Sequence, residues 1–118
     1  MQKIVFSDVD GTLLNSEHEL TALNREAIKR LEEQDIPFVI VSARSPSGIY
    51  SILKEYDFRC PIVSYSGALI MDIDGKVLYH KGMPVSEAVK IVRYIENSQL
   101  PVTWNVFSYD QWITPDRT

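Results

Sequence analysis

The chain has 118 residues, 45% hydrophobic and 24% charged, with a formal net charge of -4. That is enough for one domain with a real core and too little for two ordinary ones. The mildly acidic balance leaves no basic face for nucleic acid and no polybasic run for a membrane surface.

In chain order, Ile4-Val5-Phe6 is a continuous apolar run, as a strand buried on both faces requires, and it leads into Ser7-Asp8-Val9-Asp10-Gly11-Thr12-Leu13-Leu14. After a polar loop, Leu23, Ala27, Ile28 and Leu31 recur at helical spacing, with Thr21 placed as an N-cap. Pro37 precedes a second short strand, Phe38-Val39-Ile40-Val41, and Ile49, Ile52, Leu53 and Tyr56 mark a helix opening near Pro46. Pro61-Ile62-Val63-Ser64 reads as a third strand. Strand, helix, strand, helix, strand is the pattern of a parallel sheet with right-handed crossovers.

The pattern changes near Gly67. Residues 68–72 and 76–81 flank Asp74-Gly75, a strong hairpin signal. Val85, Ala88, Val89, Val92 and Ile95 share one face of a third helix, and Val102 to Tyr109 reads as a single strand with bulky alternate side chains. Residues from about 70 onward are therefore expected to form an antiparallel strand-helix-strand unit set apart from the parallel sheet. Half of Trp104, Phe107, Tyr109 and Trp112 are expected to pack on that helix, the alternative being a surface that faces the ligand site.

The carboxylates Asp8 and Asp10 stand where an apolar strand ends, the place where open α/β sheets keep their ligands. Asp8 is ionised at neutral pH and can attack phosphorus without a neighbouring base. Asp10 can protonate a leaving alkoxide and then deprotonate water. Paired carboxylates facing a phosphate call for a hard cation with oxygen ligands, and Mg²⁺ held by Asp8 and Asp10 suits that role. Gly11 allows the tight turn beside them. An EF-hand starting at Asp8 would want an acid at residue 12 and Gly at residue 13, and the chain has Thr12 and Leu13. A second D-x-D-G run, Asp72-Ile73-Asp74-Gly75, reads as turn chemistry only.

Together with Phe38-Val39-Ile40-Val41-Ser42-Ala43-Arg44, the D-x-D-G-T-L run resembles the first two motifs of the haloacid-dehalogenase-like (HAD) phosphohydrolases, in their Cof-type (class IIB) sugar-phosphatase branch. The resemblance implies that Ser42, at the end of the second strand, hydrogen-bonds the transferring phosphoryl group, with Gly11, Thr12, Ala43 and Arg44 around it. Arg44 is read equally as a substrate contact or as a cap for the following helix. Where the branch commonly has Thr-Gly-Arg and Asn-Gly-Ala, this chain has Ser42-Ala43-Arg44 and Ser66-Gly67-Ala68, which carries the substrate-binding expectation onto Ser66 and Gly67. The implied fold is α/β, a Rossmann-like HAD core at 1–69 and part of an α/β cap at 70–118. The implied activity is Mg²⁺-dependent hydrolysis of small phosphorylated metabolites such as sugar phosphates, through an aspartyl-phosphate. A phosphomutase of the same fold is a second enzyme reading.

The resemblance also implies a later Lys and a later Gly-Asp-x-x-x-Asp pair. After Val102 the chain has no lysine, and its acids there are Asp110 and Asp116. The parallel sheet is accordingly expected to be incomplete, and the chain an N-terminal portion, inactive alone. It would leave Ile4-Val5-Phe6 as an exposed edge open to self-association or to a missing C-terminal half. A binding module that keeps only part of the phosphate site is the competing reading. A receiver domain is disfavoured, since Ser64 and Ser66 stand where its acceptor acid would follow the third strand. His18 and His80 are expected to be solvated, and the lone Cys60 to be a small buried hydrophobe that excludes an internal disulfide and fits a reducing compartment. With no apolar run of the ~20 residues a membrane-spanning helix needs and no signal-peptide pattern, a cytoplasmic location with no membrane or nucleic-acid partner is expected.

Overall fold

The computed structural model describes residues 2–115. Two compact units divide between His80 and Lys81.

The first unit runs β1 (Val5–Asp8), α1 (Ala22–Glu33), β2 (Phe38–Val41), α2 (Pro46–Glu55), β3 (Ile62–Ser64), β4 (Leu69–Met71) and β5 (Val77–His80). One sheet takes them in the order β1-β2-β3-β4-β5. Strands β1, β2 and β3 are parallel, with Asp8 opposite Val41 and Val41 opposite Val63, so all three end on one edge of the sheet. The helices start where the sequence marks them. Thr21 Oγ accepts the Asn24 N–H at 3.2 Å, and Ser45 Oγ accepts the Gly48 N–H at 3.3 Å ahead of Pro46. Ile49, Ile52 and Leu53 on α2 meet Ile40, Ile62 and Cys60 in one core with Val9, Leu13, Leu14 and Leu20. The residues after the first carboxylates are thus anchored by burial.

The exposed edge expected at Ile4-Val5-Phe6 is present: β1 pairs only with β2 among the described residues, and Ile4 and Phe6 are 52% and 59% exposed, so the burial on both faces that the apolar run suits is not reached. The hairpin is not set apart from the parallel sheet, because β4 pairs antiparallel with β3, Ile62 opposite Met71. The short turn at 65–67 folds the chain straight back onto the sheet, and the compact unit that holds this sheet runs to His80. On α1, Leu23 lies exposed and Ile28 is the residue of the apolar face packed on the core.

The second unit comprises α3 (Val85–Asn97), β6 (Val106–Ser108) and β7 (Gln111–Ile113). The single strand expected over 102–109 is instead a short hairpin, broken where Tyr109 takes a φ of 50° beside Asp110, a residue that favours turns. Ala88, Val92 and Ile95 are the half-buried positions of α3. Trp104 is half-buried and donates its indole N–H to Glu96 on the helix at 3.3 Å, while Phe107 and Trp112 stack on each other, ring centroids 6.2 Å apart. Asp116, named in the sequence reading, lies outside the described residues.

Candidate active site

Side chains alternate as β1 ends: Val9 is fully buried while Asp8 and Asp10 on either side face solvent. The chain then curls back on itself. The Leu13 N–H donates to the Asp8 carbonyl at 3.2 Å and the Leu14 N–H to the Val9 carbonyl at 3.0 Å. Gly11 sits inside this curl at a φ of 75°, where a side chain would strain the backbone even though a Cβ would meet no neighbour. Thr12 Oγ lies 3.5 Å from Asp8 Oδ2.

Asp10 has a partner that sequence reasoning did not foresee. Arg44 grips its carboxylate with two bonds, Nη2 to Oδ1 at 2.7 Å and Nε to Oδ2 at 3.1 Å. His18, exposed as expected, has Nδ1 3.9 Å from Asp10 Oδ1. The Arg44 hydrogen bonds, opposed by partial burial and helped by the Arg44 and His18 charges, hold the Asp10 carboxyl below its ordinary value, and Asp10 in turn raises Arg44. The expected alternatives for Arg44 were substrate or helix cap, and Ser45 is the cap of α2. No spacing rule links residues 10 and 44, and only the register of β1 against β2 brings them together.

Ser42 follows β2 directly, next to the Asp8–Val41 pair, and is buried. Its Oγ accepts the Arg44 N–H at 3.1 Å and its own N–H donates to the Val63 carbonyl at 2.9 Å. Ala43 between them is exposed. From the end of β3, the Ser66 N–H donates to the Ser42 carbonyl at 3.0 Å and the Tyr65 N–H to the Arg44 carbonyl at 3.1 Å. Asp8, Asp10, Gly11, Thr12, Ser42, Ala43, Arg44, Ser66 and Gly67 are thereby gathered at one edge of the sheet. Tyr65 was missed, since neither its type nor its neighbours signalled a left-handed residue. A cleft of about 840 Å³ lined by Lys3, Ile4, Asp35 and Pro37 opens at the opposite end of β1 and holds none of these carboxylates.

The second D-x-D-G run behaves as a turn. Asp72 Oδ1 accepts the N–H groups of Asp74 and Lys76 at 2.9 and 2.8 Å, with Gly75 at a φ of 81°.

Asp8 and Asp10 offer the hard oxygen donors that Mg²⁺ prefers. Among the described residues no group of three or more His, Cys, Asp or Glu is placed to hold a metal ion, so this pair fits part of a Mg²⁺ site rather than a whole one.

Two carboxylates and a buried serine thus stand at the C-terminal edge of the parallel strands of an α/β fold, and comparison with known proteins gives the family. The profile of the haloacid dehalogenase-like hydrolases matches residues 5–117, and the chain belongs to that family. It is 44% identical over 79 residues to a putative phosphatase of Haemophilus influenzae, covering 67% of this chain and 30% of that one. It is 27% identical over 113 residues to phosphatase YwpJ of Bacillus subtilis, covering 96% and 39%. A solved haloacid dehalogenase-like hydrolase from B. subtilis superposes with a TM-score of 0.86 at 26% identity, covering 99% of this chain and 40% of that one. The chain therefore spans about a third to two fifths of the length of these relatives. The family resemblance and the α/β fold expected from the sequence are both borne out. Among the described residues, no helix is long and apolar enough to cross a membrane.

Proposed function

We propose that the chain carries the nucleophile-bearing part of a Mg²⁺-dependent phosphomonoesterase that acts on small phosphorylated metabolites, sugar phosphates among them, in the cytoplasm. The reading is carried by Asp8, whose carboxylate faces solvent at the end of β1 with Ser42 one register step away and Asp10 two residues on. A carboxylate in that position, in a chain of this family, suits in-line attack on phosphorus.

In the proposed reaction an Asp8 Oδ attacks phosphorus, the phosphorus–oxygen bond to the leaving group breaks, and the departing alkoxide takes a proton from Asp10. Water then attacks the phosphorus of the acyl phosphate, Asp10 takes the proton of that water, and Asp8 is released with inorganic phosphate. Ser42 Oγ and the Thr12 hydroxyl donate to the phosphoryl oxygens as charge builds on them. Arg44 keeps Asp10 ionised in the resting site, the form needed for the water step, and Asp10 must leave that pair and take up a proton from solvent before it can act as an acid. Asp8 and Asp10 would hold part of a Mg²⁺ site, and the ion would supply the positive charge that lets a carboxylate approach a phosphate. We place the start of the cap, which would select the substrate, in the region after 70.

The test is p-nitrophenyl phosphate hydrolysis by the whole reading frame with Mg²⁺ or with chelator, together with acid-quench mass spectrometry of the peptide holding Asp8. One phosphoryl group on that peptide, and its loss with turnover in Asp8→Asn, are the expected results. Retained turnover in Asp8→Asn would overturn the assignment.

A second reading is favoured by the partial metal donor set: taken alone, residues 1–118 bind phosphate without turning it over. Phosphate binding by the isolated chain with no hydrolysis would support it.

A further inference from the structure

We infer that the turn Tyr65–Gly67 is a positioning device that grips the Ser42–Arg44 loop by its backbone and so sets where the Ser42 hydroxyl and the Arg44 guanidinium stand; this rests on the proposed phosphatase reading. Tyr65, Ser66 and Gly67 have φ values of 48°, 55° and 106°. They form the one run of consecutive left-handed residues among those described, since every other positive φ stands alone. For Tyr and Ser that conformation is unfavourable, and it persists only where the surroundings enforce it.

The geometry shows what the strain achieves. In a strand, consecutive N–H groups point to opposite sides, whereas in a left-handed turn they converge. Here the Tyr65 and Ser66 N–H groups both reach the β2–α2 loop, at the carbonyls of Arg44 (3.1 Å) and Ser42 (3.0 Å). Those carbonyls flank Ala43, and the Ser42 Oγ bond to the Arg44 N–H closes the loop from within. On its far side the turn is fastened by the fully buried Ser64, whose Oγ donates to the Leu69 carbonyl at 2.9 Å. The Ser66 side chain is exposed and its hold on Ser42 is made by its N–H, so the grip is a property of the backbone.

Two glycines provide a matched pair of variants. At Gly67 a Cβ would meet nothing within 4 Å, so Gly67→Ala acts through the backbone alone. Gly75→Ala strains a φ of 81° with only an ordinary contact to Tyr50, in the β4–β5 turn beyond Met71, which pairs with the start of β3. Nitrogen-15 NMR of the protein should show the Arg44 Nε–H and the Tyr65 and Ser66 amides protected in wild type and in Gly75→Ala. In Gly67→Ala the Arg44 signal is lost and the two amides exchange faster. In the phosphatase assay kcat/KM should fall by at least about tenfold for Gly67→Ala beyond any fall in Gly75→Ala, since small misplacements of binding groups cost this much. Equal NMR protection in all three proteins, or an equal loss of kcat/KM in both variants, overturns the inference. If wild type shows no turnover, the phosphatase reading fails while the NMR comparison still decides the grip. Should Gly67→Ala fail to fold, Ser66→Gly is expected to raise Tm and keep the Arg44 signal, and an unchanged or lower Tm overturns the inference.

Discussion

Replacing Arg44 by Gln and Asp10 by Asn, singly and together, isolates the contact that most changes how this site is understood. The two bonds of 2.7 and 3.1 Å are good bidentate geometry, but the side chains are 35% and 48% exposed, so water screens much of their attraction. Exposed pairs of this kind couple by about 0.2–1 kcal/mol, and the bidentate fork argues for the upper half, about 0.5–1 kcal/mol. With a urea slope of about 1.5 kcal/mol per molar for a small domain, that is roughly half a molar in the midpoint. The sign with pH follows from the lowered Asp10 value. The folded state favours the carboxylate, so the contribution is present above the unfolded value near 3.9 and fades as pH falls through the lower folded one. Equilibrium urea unfolding of the four proteins, with chelator present, should therefore give this coupling at neutral pH, less at pH 3, and less again in ~1 M salt, where the Debye length is only about 3 Å. No coupling at neutral pH in low salt, or a coupling indifferent to acid, would refute the reasoning.

Asp10→Asn should slow hydrolysis of alkyl phosphates far more than of p-nitrophenyl phosphate, whose leaving group needs no proton; an equal penalty on both would count against the acid role. Burial raises the Cys60 thiol to about 11, so at pH 8 the native protein should react with Ellman's reagent at least about a hundredfold more slowly than the chain in denaturant. Comparable rates would mean that Cys60 is not enclosed. The open edge of β1, with Phe6 exposed on it, is expected to drive concentration-dependent association of the 118-residue chain, and Phe6→Lys should lower it in light scattering. A monomer at every concentration would rule that out.

Local signals in the sequence were accurate where the residue itself enforces the geometry. Thr21 and Ser45-Pro46 start helices because their side chains or rings satisfy or remove the first free N–H groups. Asp74-Gly75 turns because Gly accepts a positive φ without strain. Burial was harder to read, since an apolar run states what a strand can cover and not whether anything covers it. Ile4-Val5-Phe6 has the composition of a central strand, and its exposure was expected only from the strand order that the family resemblance implies, not from its own residues. The hairpin was recognised as a hairpin, but its attachment to β3 depends on the turn at 65–67, where Tyr and Ser take a conformation their chemistry disfavours.

The same distinction applies within the site. Asp8, Asp10 and Gly11 are adjacent in sequence, and their grouping needs nothing more than the end of a strand. Ser42 could be placed beside them because parallel strands bring equivalent ends together, as the Asp8–Val41 register does. The Arg44–Asp10 pair and the backbone bonds from Tyr65 and Ser66 follow from no periodicity. They link three loops that are distant in sequence, and the acceptors for Tyr65 and Ser66 are backbone carbonyls of a kind present in any loop. At residue 42 the side-chain hydroxyl bonds the Arg44 N–H, whereas residue 66 contributes only its backbone N–H to the Ser42 carbonyl. Side-chain identity at residue 66 can therefore vary while the bond it makes is retained, whereas a side chain at residue 67 would strain a φ of 106° even though its Cβ would meet no neighbour.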